Sequence, residues 1–582
     1  MLERFGLEET WPGMKTAATT LATIIGAALI YRKIRHYFKK ADVPEDFHGG
    51  TIVAHCLKQH DVHYMFTLIG GHISPIIVAA EKMGIRVVDT RNEVGVAVVT
   101  AGPGVTNCVT AAKNAQLAES PVLIIGGAAA TILKGRGALQ DIDQMTLFSS
   151  VCKFTGSAST VQEIAPLLQK AIQISMSEIP GPVFVELPVD ILYQYPVVAS
   201  QLLGTTNNKS VMSTLREWYL QLHLNNLYSD WKMLEPFAPL PVFVPRHKKS
   251  QVLKAARLLR ESKRPFIIIG SQAMLPPVSS TILQAALRDL NIPVSLGGMA
   301  RGLLGKDSAL QFRHSRKFAL KSADLIILAG AVCDFRLSYG RSLSSKATII
   351  SVNRDEAKAS LNAGIYWKPS MVIRGDVACF LVEFSSLSAG YSYDIKWYTT
   401  ILEVEEKRCS EITEASMDDT SEYLNPIQLL TELDKQLPAN SVIIGDGGDF
   451  VATASYVLQP SAPLSWLDPG PFGTLGVGGG FAIGAKLARP EAMIWVIYGD
   501  GACGYSIMEY DTFIRHDLPV ISVRTDYHTV AKGLGAEGLL LTKENDWRNV
   551  LSKAVKIHRD GTSTLINALI SRSDFRQGSI SL

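Results

Sequence analysis

Short apolar runs alternate with longer amphipathic stretches along most of the chain. The runs HYMFTLIG, PVLIIGG and PVFVELP, for example, lie within residues 47–200 and are separated by stretches of helical character. Apolar runs of this length are typical of strands buried on both faces of a parallel sheet, where helices connect one strand to the next. The same alternation returns in residues 250–390 and 426–582. We therefore predict an α/β protein with three doubly wound parallel-sheet domains.

Two segments between the predicted domains lack this alternation. Residues 201–249 are polar and rich in aromatic side chains, and we interpret them as a helical linker or arm. Residues 391–425 include the acidic stretch 398–416, which predicts a linker helix. A chain of 582 residues is long enough for about three to four domains of ordinary size, so three domains and two linkers suit its length after residue 46.

The first 46 residues have a different pattern. Residues 16–31 read TAATTLATIIGAALIY, without a charged side chain. This run is slightly shorter than the usual transmembrane length of about 20 residues, and it predicts a single membrane-spanning helix or, as the alternative, a buried one. Five basic residues follow it: Arg32, Lys33, Arg35, Lys39 and Lys40. A signal peptide has its positive charges before the run, so we expect an anchor in the endoplasmic reticulum membrane, with residue 50 onward in the cytosol.

Composition and charge exclude several classes of function. The formal net charge is +3 for 582 residues, which is too small to indicate a nucleic-acid-binding surface. The seven cysteines are scattered, without the paired spacing of a zinc site or the framework of a disulfide-rich domain. An apolar fraction of 47% and a charged fraction of 19% are ordinary for a globular protein. We expect reduced cysteines and no nucleic-acid partner.

Glycine-rich loops follow the predicted strands of the third domain, at residues 445–449, 467–485 and 499–501. Glycines at strand-to-helix turns let backbone N–H groups approach a phosphate, and Asp500 beside them offers the hard oxygen that Mg²⁺ prefers. A GDG sequence by itself is more often a tight turn with a solvated aspartate. Its combination with the glycine-rich loop upstream indicates a magnesium and diphosphate site.

Candidate polar groups of the first domain also follow strands. Glu93 comes after the run IRVV, where it can project from the sheet edge into a cleft, although a surface ion pair with Arg91 is the alternative. The stretch TAGPGVTN at 100–107 reads as a strand end, a glycine turn and a helix start. Gln140 lies in the loop GALQDIDQ, after the run PVLIIGG, where an ordinary polar loop residue is the alternative. Each position is a candidate for contact with a ligand.

Taken together and in order, these motifs resemble the thiamine-diphosphate enzymes of the acetolactate synthase superfamily. The stretches that carry the resemblance include RNE, TAGPGVTN, GALQDIDQ, LGGMARGLLG, FGTLGVGGGFAIGAKLARP and YGDGACGYSIMEYDTF, between residue 50 and the C-terminus. Within the superfamily the chain is most similar to the membrane-anchored 2-hydroxyacyl-CoA lyase branch. The resemblance implies a pyrimidine-binding, a central and a diphosphate-binding domain. It also implies an active site between the first domain of one subunit and the third domain of another, and so a homodimer or homotetramer.

The resemblance assigns roles to individual residues. Glu93 matches the glutamate that hydrogen-bonds the aminopyrimidine ring of thiamine diphosphate, and Gln140 matches an amide near the substrate carbonyl. Leu475 matches the bulky apolar residue that keeps the cofactor bent, and Asp500 matches the Mg²⁺ ligand. The residues implied to bind the cofactor are Gly473, Thr474, Leu475, Gly499, Asp500, Gly501 and Ala502. Residues 330–341 resemble a flavin-contacting stretch, which leaves FAD binding open.

The chain departs from the family pattern at two places. At the first, Glu93 and Val94 run directly into GVAVVTAGPG, without the helix that joins these strands in the family. Adjacent parallel strands need a crossover of about a dozen residues or more, so we expect one strand to be displaced or the two to merge. At the second, the asparagine that completes the metal site and the loop that closes over it are absent after residue 523, and Asp526 falls near the asparagine position. Two clean losses within close matches are typical of omitted segments.

These observations favour a thiamine-diphosphate-dependent lyase that cleaves 2-hydroxyacyl-CoA to a fatty aldehyde and formyl-CoA. Two other functions stay open: an acetolactate synthase-like carboligase that uses the 2-keto acid pyruvate, and an inactive membrane-tethered subunit. The predicted anchor favours a lipidic substrate over a small soluble one. Because the metal partner, the covering loop and the crossover helix are missing, we predict little or no lyase activity from the chain as it stands.

Overall fold

Three parallel sheets form the body of the protein. A computed structural model describes residues 44, 47–89, 95–203, 211–229, 238–418, 420–523, 527–544 and 547–571. The strand pairs within each sheet are parallel, which confirms the predicted fold class of three parallel-sheet α/β domains. The predicted membrane span at 16–31 lies outside the described residues. Among the residues that are described, no helix combines the length and the apolar character needed to cross a bilayer.

The first domain has a topological switch point between its first and third strands. Its strands are β1 Tyr64–Leu68, β2 Arg86–Asp89, β3 Val96–Val99, β4 Val122–Ala128, β5 Phe154–Ser157 and β6 Pro182–Pro188. They form one sheet in the order β2-β1-β3-β4-β6-β5. Its helices are α1 Gly49–Gln59, α2 Ser74–Lys82, α3 Pro103–Asn107, α4 Val109–Ala118, α5 Gln144–Ser149, α6 Ile164–Met176, α7 Val189–Leu192 and α8 Tyr195–Leu203. The chain leaves β1 toward one edge and β3 toward the other, and ligands of open α/β sheets bind in the crevice at such a point.

The central domain is a smaller sheet between two helices that lie in the predicted linkers. The helix α9 Val211–Leu227 precedes it, and α15 Ile395–Ser416 follows it. Its strands are β7 Pro265–Ile269, β8 Val294–Leu296, β9 Leu325–Ala329, β10 Thr348–Asn353 and β11 Met371–Arg374, in the order β11-β10-β9-β7-β8. Its helices are α10 Lys249–Glu261, α11 Ser280–Leu290, α12 Arg316–Ser322, α13 Glu356–Ala359 and α14 Val377–Leu387.

The third domain carries the glycine-rich loops at the carboxyl edge of its sheet. Its strands are β12 Ser441–Asp446, β13 Trp466–Leu467, β14 Met493–Tyr498, β15 Ile521–Val523, β16 Glu537–Leu541 and β17 Thr564–Ala568, in the order β13-β12-β14-β15-β17-β16. Its helices are α16 Pro426–Gln436, α17 Asp449–Val457, α18 Gly478–Ala488, α19 Asp500–Ser506, α20 Glu509–Arg515, α21 His528–Gly533 and α22 Trp547–Arg559. All residues of β12 and β14 are buried, as expected for central strands of a covered sheet.

The connection between β2 and β3 differs from the prediction. Both strands flank β1 and pair with it in parallel, so neither strand is displaced and the two do not merge. Between Asp89 and Val96 the chain has six residues, of which 90–94 lie outside the described part. The prediction of displacement is wrong because β1 offers hydrogen-bonding edges to both strands, and each strand buries apolar side chains, such as Val88 and Val98, when it pairs there.

The sheet face that a crossover helix would cover is packed against the third domain. Helix α2, which joins β1 to β2, packs with Met65 on one face. The connection from β1 to β2 and the connection from β2 to β3 run in opposite directions across the sheet. Because crossovers between parallel strands are right-handed, a helix between β2 and β3 would lie on the face opposite α2. On that other face, Phe66 and Val88 share a hydrophobic core with Tyr510 and Phe513 of α20. In this chain the third domain therefore covers apolar surface that a crossover helix would otherwise bury.

Asp89, at the end of β2, anchors the same contact with polar bonds. Its carboxylate accepts hydrogen bonds of 2.6 and 2.7 Å from the Arg515 guanidinium, and Nε2 of His516 lies 2.8 Å from it. Burial raises the pKa of Asp89, but the hydrogen bonds from Arg515 and His516 outweigh burial and hold that pKa below its usual value. Arg86 adds a bond of 2.9 Å to the carbonyl of His516. The carboxyl end of α20 is thus tied to β2.

Candidate active site

Asp446, the last residue of β12, holds the glycine-rich loop in place. Its carboxylate accepts hydrogen bonds from the backbone N–H groups of Gly476 at 2.9 Å, Val477 at 3.3 Å and Gly478 at 2.8 Å. Burial raises the pKa of Asp446 to about 6, although the three N–H bonds oppose the rise. Asp446 was not predicted from the sequence as a positioning residue. In the sequence, a carboxylate that directly ends the apolar run of a buried strand could have indicated this role.

Three glycines bring the loops after β12 and β14 against each other and against Leu475. A Cβ on Gly447 would lie 2.2 Å from Cδ2 of Leu475, and a Cβ on Gly499 would lie 2.9 Å from the carbonyl oxygen of Gly447. Gly448 has a φ of 92°, in the left-handed region that favours glycine, and its Cβ would lie 3.5 Å from Cα of Gly499. The backbones of the two loops therefore lie against each other with no side chain between them. We call Gly447, Gly448 and Gly499 the glycine cradle; its backbone N–H groups are accessible to a phosphate.

Asp500 begins α19 directly after this glycine cradle. Its side chain is exposed, and the flanking Gly499 and Gly501 have no side chains to cover it. An exposed carboxylate beside a phosphate-binding turn suits Mg²⁺, which is commonly held by one or two carboxylates together with phosphate oxygens. The residues present therefore fit a magnesium and diphosphate site. Ala502 is buried in the core, unlike Asp500, so its methyl group packs inside the domain.

Loop 473–475 and residues 499–501 meet at the carboxyl edge of the third sheet. Glu93 and Asp526 lie outside the described residues, and their roles stay predictions. Strand β15 ends at Val523, and the described chain resumes at Tyr527, the residue before α21. Four residues, 524–527, therefore connect β15 to α21.

The first domain brings a histidine to its switch point. His72 follows β1 and Thr100 follows β3, and Nδ1 of His72 lies 3.3 Å from Oγ1 of Thr100. A Cβ on Gly127, in β4, would lie 2.6 Å from Cβ of His72, so the histidine packs directly on that strand. Burial lowers the pKa of His72, which favours the neutral ring at neutral pH. His72 was not predicted from the sequence, although a titratable residue soon after the first strand was a usable signal.

Gln140 lies at the same sheet edge as His72. A Cβ on Gly102, in the glycine turn after β3, would lie 2.9 Å from Cβ of Gln140. Gly102 and Gln140 both have a φ of 61°. The left-handed conformation is uncommon for a residue with a side chain, and such residues are concentrated at functional sites. The structure thus brings Gln140 to the switch point, while its part in catalysis stays a prediction.

A buried clamp holds the loop that carries Gln140. Glu186, on β6, is fully buried; it pairs with Lys134 and accepts a hydrogen bond of 3.0 Å from Nε2 of Gln144. Oε1 of Gln144 in turn accepts the N–H of Gly102 at 3.1 Å. Lys134 and Gln144 lie on either side of Gln140 in the chain, so both ends of its loop are tied to β6. Gln144 and Glu186 were also not identified from the sequence.

All three domains match known families. The family described as "Thiamine pyrophosphate enzyme, N-terminal TPP binding domain" matches residues 47–97 and 92–147, the corresponding central domain matches 252–384, and the C-terminal TPP binding domain matches 446–525. The first match is split at the connection between β2 and β3, and the last one ends at the connection after β15. The two breaks coincide with the two places where the chain departs from the family pattern.

The chain is also similar to three known proteins along nearly its whole length. It is 45% identical to "2-hydroxyacyl-CoA lyase 2" of Danio rerio over 607 residues, which cover 97% of this chain and 98% of the relative. It is likewise 45% identical to "2-hydroxyacyl-CoA lyase 2" of Homo sapiens, with 97% and 96% covered. "Probable acetolactate synthase" of Mycobacterium bovis is 29% identical, with 91% and 97% covered.

The alignments also bear on the omitted segments. The alignment with the Danio rerio relative spans 607 residues, whereas this chain has 582, so the relative has residues that this chain lacks. The suspected resemblance is confirmed by the family matches in each of the three domains and by the near-complete coverage of the relatives. The chain belongs to the thiamine pyrophosphate enzyme family.

Proposed function

We propose that this chain has the architecture of a thiamine-diphosphate-dependent lyase that cleaves 2-hydroxyacyl-CoA to a fatty aldehyde and formyl-CoA. The observation that carries the proposal is the glycine cradle with Leu475 and Asp500, in a chain 45% identical to proteins named 2-hydroxyacyl-CoA lyase 2. The acetolactate synthase of Mycobacterium bovis is only 29% identical, which favours the lyase over a carboligase that acts on pyruvate. The proposed lyase reaction does not require FAD.

The third domain would hold the cofactor. Thiamine diphosphate, when bound, would supply the electron sink that carbon–carbon cleavage requires. Backbone N–H groups of the glycine cradle would bind its diphosphate, and Asp500 would hold Mg²⁺ against the phosphate oxygens. Leu475, which is fixed against Gly447, would press on the cofactor and keep it bent. Asp446 contributes by keeping the loop that carries Leu475 in one position.

The first domain would act on the cofactor and on the substrate. Glu93 is proposed to hydrogen-bond the aminopyrimidine ring. Release of an aldehyde from a 2-hydroxyacyl group requires loss of the proton on the 2-hydroxyl oxygen. His72, with its lowered pKa, is suited to accept that proton, and Gln140 is suited to donate a hydrogen bond to the thioester carbonyl. Because the resemblance to the thiamine-diphosphate enzymes implies a site between the first domain of one subunit and the third domain of another, we also propose a homodimer or homotetramer.

The reaction products distinguish the lyase from the alternative activity, an acetolactate synthase-like carboligase. In a chain with both omitted segments restored, we expect long-chain 2-hydroxyacyl-CoA to yield a fatty aldehyde and formyl-CoA in equal amounts, with both Mg²⁺ and thiamine diphosphate required. The measurement is detection of both products by mass spectrometry, with pyruvate as the competing substrate and a reaction without the cofactor as the control. Acetolactate from pyruvate without aldehyde from the acyl-CoA would contradict the proposal.

For the chain as it stands we propose impaired activity, with an inactive membrane-tethered subunit as the second candidate. The supporting observation is that the match to the N-terminal domain is split at residues 92–97 and the match to the C-terminal domain ends at residue 525. We infer that the metal-binding asparagine, the covering loop and the crossover helix of the family are missing at these two places. Asp526 is the remaining candidate for the second metal ligand.

We further propose that the chain is a single-pass protein of the endoplasmic reticulum membrane with residue 50 onward in the cytosol. The support is the uncharged run at 16–31 and the five basic residues after it. We expect the chain to stay in the pellet on carbonate extraction, and its large domains to be digested by protease added to sealed microsomes. The control is the double variant Ile24→Lys and Ile25→Lys, because each lysine at mid-membrane costs about 3 kcal/mol of insertion. Release of the unaltered chain by carbonate would overturn the proposal.

A further inference from the structure

The carboxyl-terminal half of α9 is fixed to the first domain. Leu224 and Leu227 are buried in the core that also contains Ile52 of α1. Just beyond the helix, the hydroxyl group of Tyr228 lies 2.7 Å from the carbonyl oxygen of Tyr193. The carboxyl-terminal half of the helix is therefore part of the packed first domain, and the amino-terminal half extends from it.

The outward side of α9 is apolar as well. Val211, Met212, Leu215 and Tyr219 are exposed by 81%, 75%, 53% and 59%, and Trp218 is exposed by 46%. Their spacing puts them on one side of the helix, away from the buried leucines. Within α9, all of which the structure describes, no charged residue falls in this arc. Monomeric soluble proteins seldom expose a contiguous apolar patch of this kind, and such patches mark interaction sites.

The attached end of α9 lies beside the point where the chain enters the first domain. His48, the residue before α1, has its Nδ1 3.0 Å from the carbonyl oxygen of Leu192. The next residue, Tyr193, is the one whose carbonyl oxygen contacts the hydroxyl of Tyr228. The uncharged run at 16–31 and the basic residues after it precede this entry point by a short segment. An anchor in that run would hold the entry point, and with it α9, near the membrane surface.

We propose that the outer face of α9, defined as Val211, Met212, Leu215, Trp218 and Tyr219, lies in the headgroup region of the bilayer as an interfacial helix. Trp218 and Tyr219 are side chains of the kind enriched at membrane–water interfaces, and the aliphatic residues beside them can be buried among the acyl chains. A bilayer is favoured over a second copy of the chain because the run at 16–31 would bring a membrane to this helix. The proposal rests on the membrane location proposed above. A helix α9 that lies in the bilayer surface would keep the first domain, with His72 and Gln140, close to a source of lipidic substrate.

Paired cysteine labels test the proposal in the full chain. Leu215→Cys on the outer face and Leu253→Cys on α10, a leucine 40% exposed in the central domain, are each labelled with an environment-sensitive fluorophore. Both are made in a Cys409→Ser background, because Cys409 is exposed, and the background chain itself measures stray labelling. The protein is reconstituted into phosphatidylcholine vesicles with about one fifth phosphatidylserine, with or without nitroxide-labelled lipid. Flotation of the vesicles shows in parallel whether the chain is bound.

The outcomes separate the outer face from the anchor. We expect the chain to float and the label at residue 215 to lose about half of its emission to nitroxide lipid, while the label at residue 253 loses little. A floating chain with equal, weak quenching at both positions would overturn the interfacial helix and leave the anchor intact. A chain that does not float would overturn both proposals. If, without lipid, the label at residue 215 became shielded from solvent as the protein concentration rose, and the mass of the protein in solution doubled, the face would be assigned to a second copy of the chain.

Discussion

Replacing Asp500 by alanine is expected to abolish magnesium-dependent binding of thiamine diphosphate. Asp500 is the exposed carboxylate next to the glycine cradle, and the substitution leaves Gly447, Gly499 and Leu475 in place. Mg²⁺ would then have to bind the diphosphate without the carboxylate ligand that Asp500 provides. Loss of an outer-shell partner alone typically costs about 10- to 100-fold in metal affinity, so loss of the ligand should weaken cofactor binding by more than about 100-fold.

Isothermal titration calorimetry with thiamine diphosphate, in the presence and absence of Mg²⁺, measures this effect in the chain with both segments restored. The matched control is Asp560→Ala, which removes an exposed aspartate from the turn before β17, at the opposite edge of the same sheet. The control should bind as the unsubstituted chain does. Equal affinities for the Asp500→Ala variant and its control would show that the metal is held elsewhere.

Reinsertion of the two omitted segments is expected to turn a nearly inactive chain into an active lyase. The segment after Val523 would supply the metal-binding asparagine and a loop that excludes water from the site. The segment after Glu93 would supply the crossover helix, which would cover the sheet face beside that glutamate and exclude water from it. Misplacement of catalytic groups by about 1 Å already costs about 100-fold in rate, so the gain should be at least of this order.

The comparison requires four chains: the 582-residue chain, two chains that each have one segment reinserted, and a chain with both. Aldehyde release per enzyme molecule is the measurement, and circular dichroism establishes that each chain is folded. Each single reinsertion should recover little activity, because the segments serve different steps. Turnover by the 582-residue chain at the rate of the fully restored one would contradict the prediction, and would indicate that Asp526 serves as a metal ligand.

The crossover helix should also change how the first and third domains meet. In this chain Phe66 and Val88 are buried against α20, and Asp89 is bound by Arg515 and His516. A helix returned to that sheet face would compete for the same apolar surface. We therefore expect this contact to be lost or rearranged when the helix is restored; in the present chain it covers β2, which stays beside β1 although only six residues separate it from β3.

The site was only partly predictable from the sequence, for reasons that differ among its residues. Asp500 and Leu475 lie in motifs whose glycines have a direct physical meaning, and the structure brings both to the carboxyl edge of the third sheet. Asp446 and His72 were missed because their importance depends on partners elsewhere in the chain. Asp446 accepts N–H groups some thirty residues further on, and His72 contacts Thr100 across the switch point.

The sequence by itself determined the three parallel sheets, because continuous apolar runs can be buried only where helices cover both faces of a sheet. It also determined the family, through motifs that occur together and in order. Only the tertiary structure decided that β2 and β3 both stay beside β1, that α20 covers the sheet face beside them, and that His72 lies with Gln140 at the switch point. These features depend on pairing and packing between segments far apart in the chain, and local patterns of polarity contain no information on such contacts.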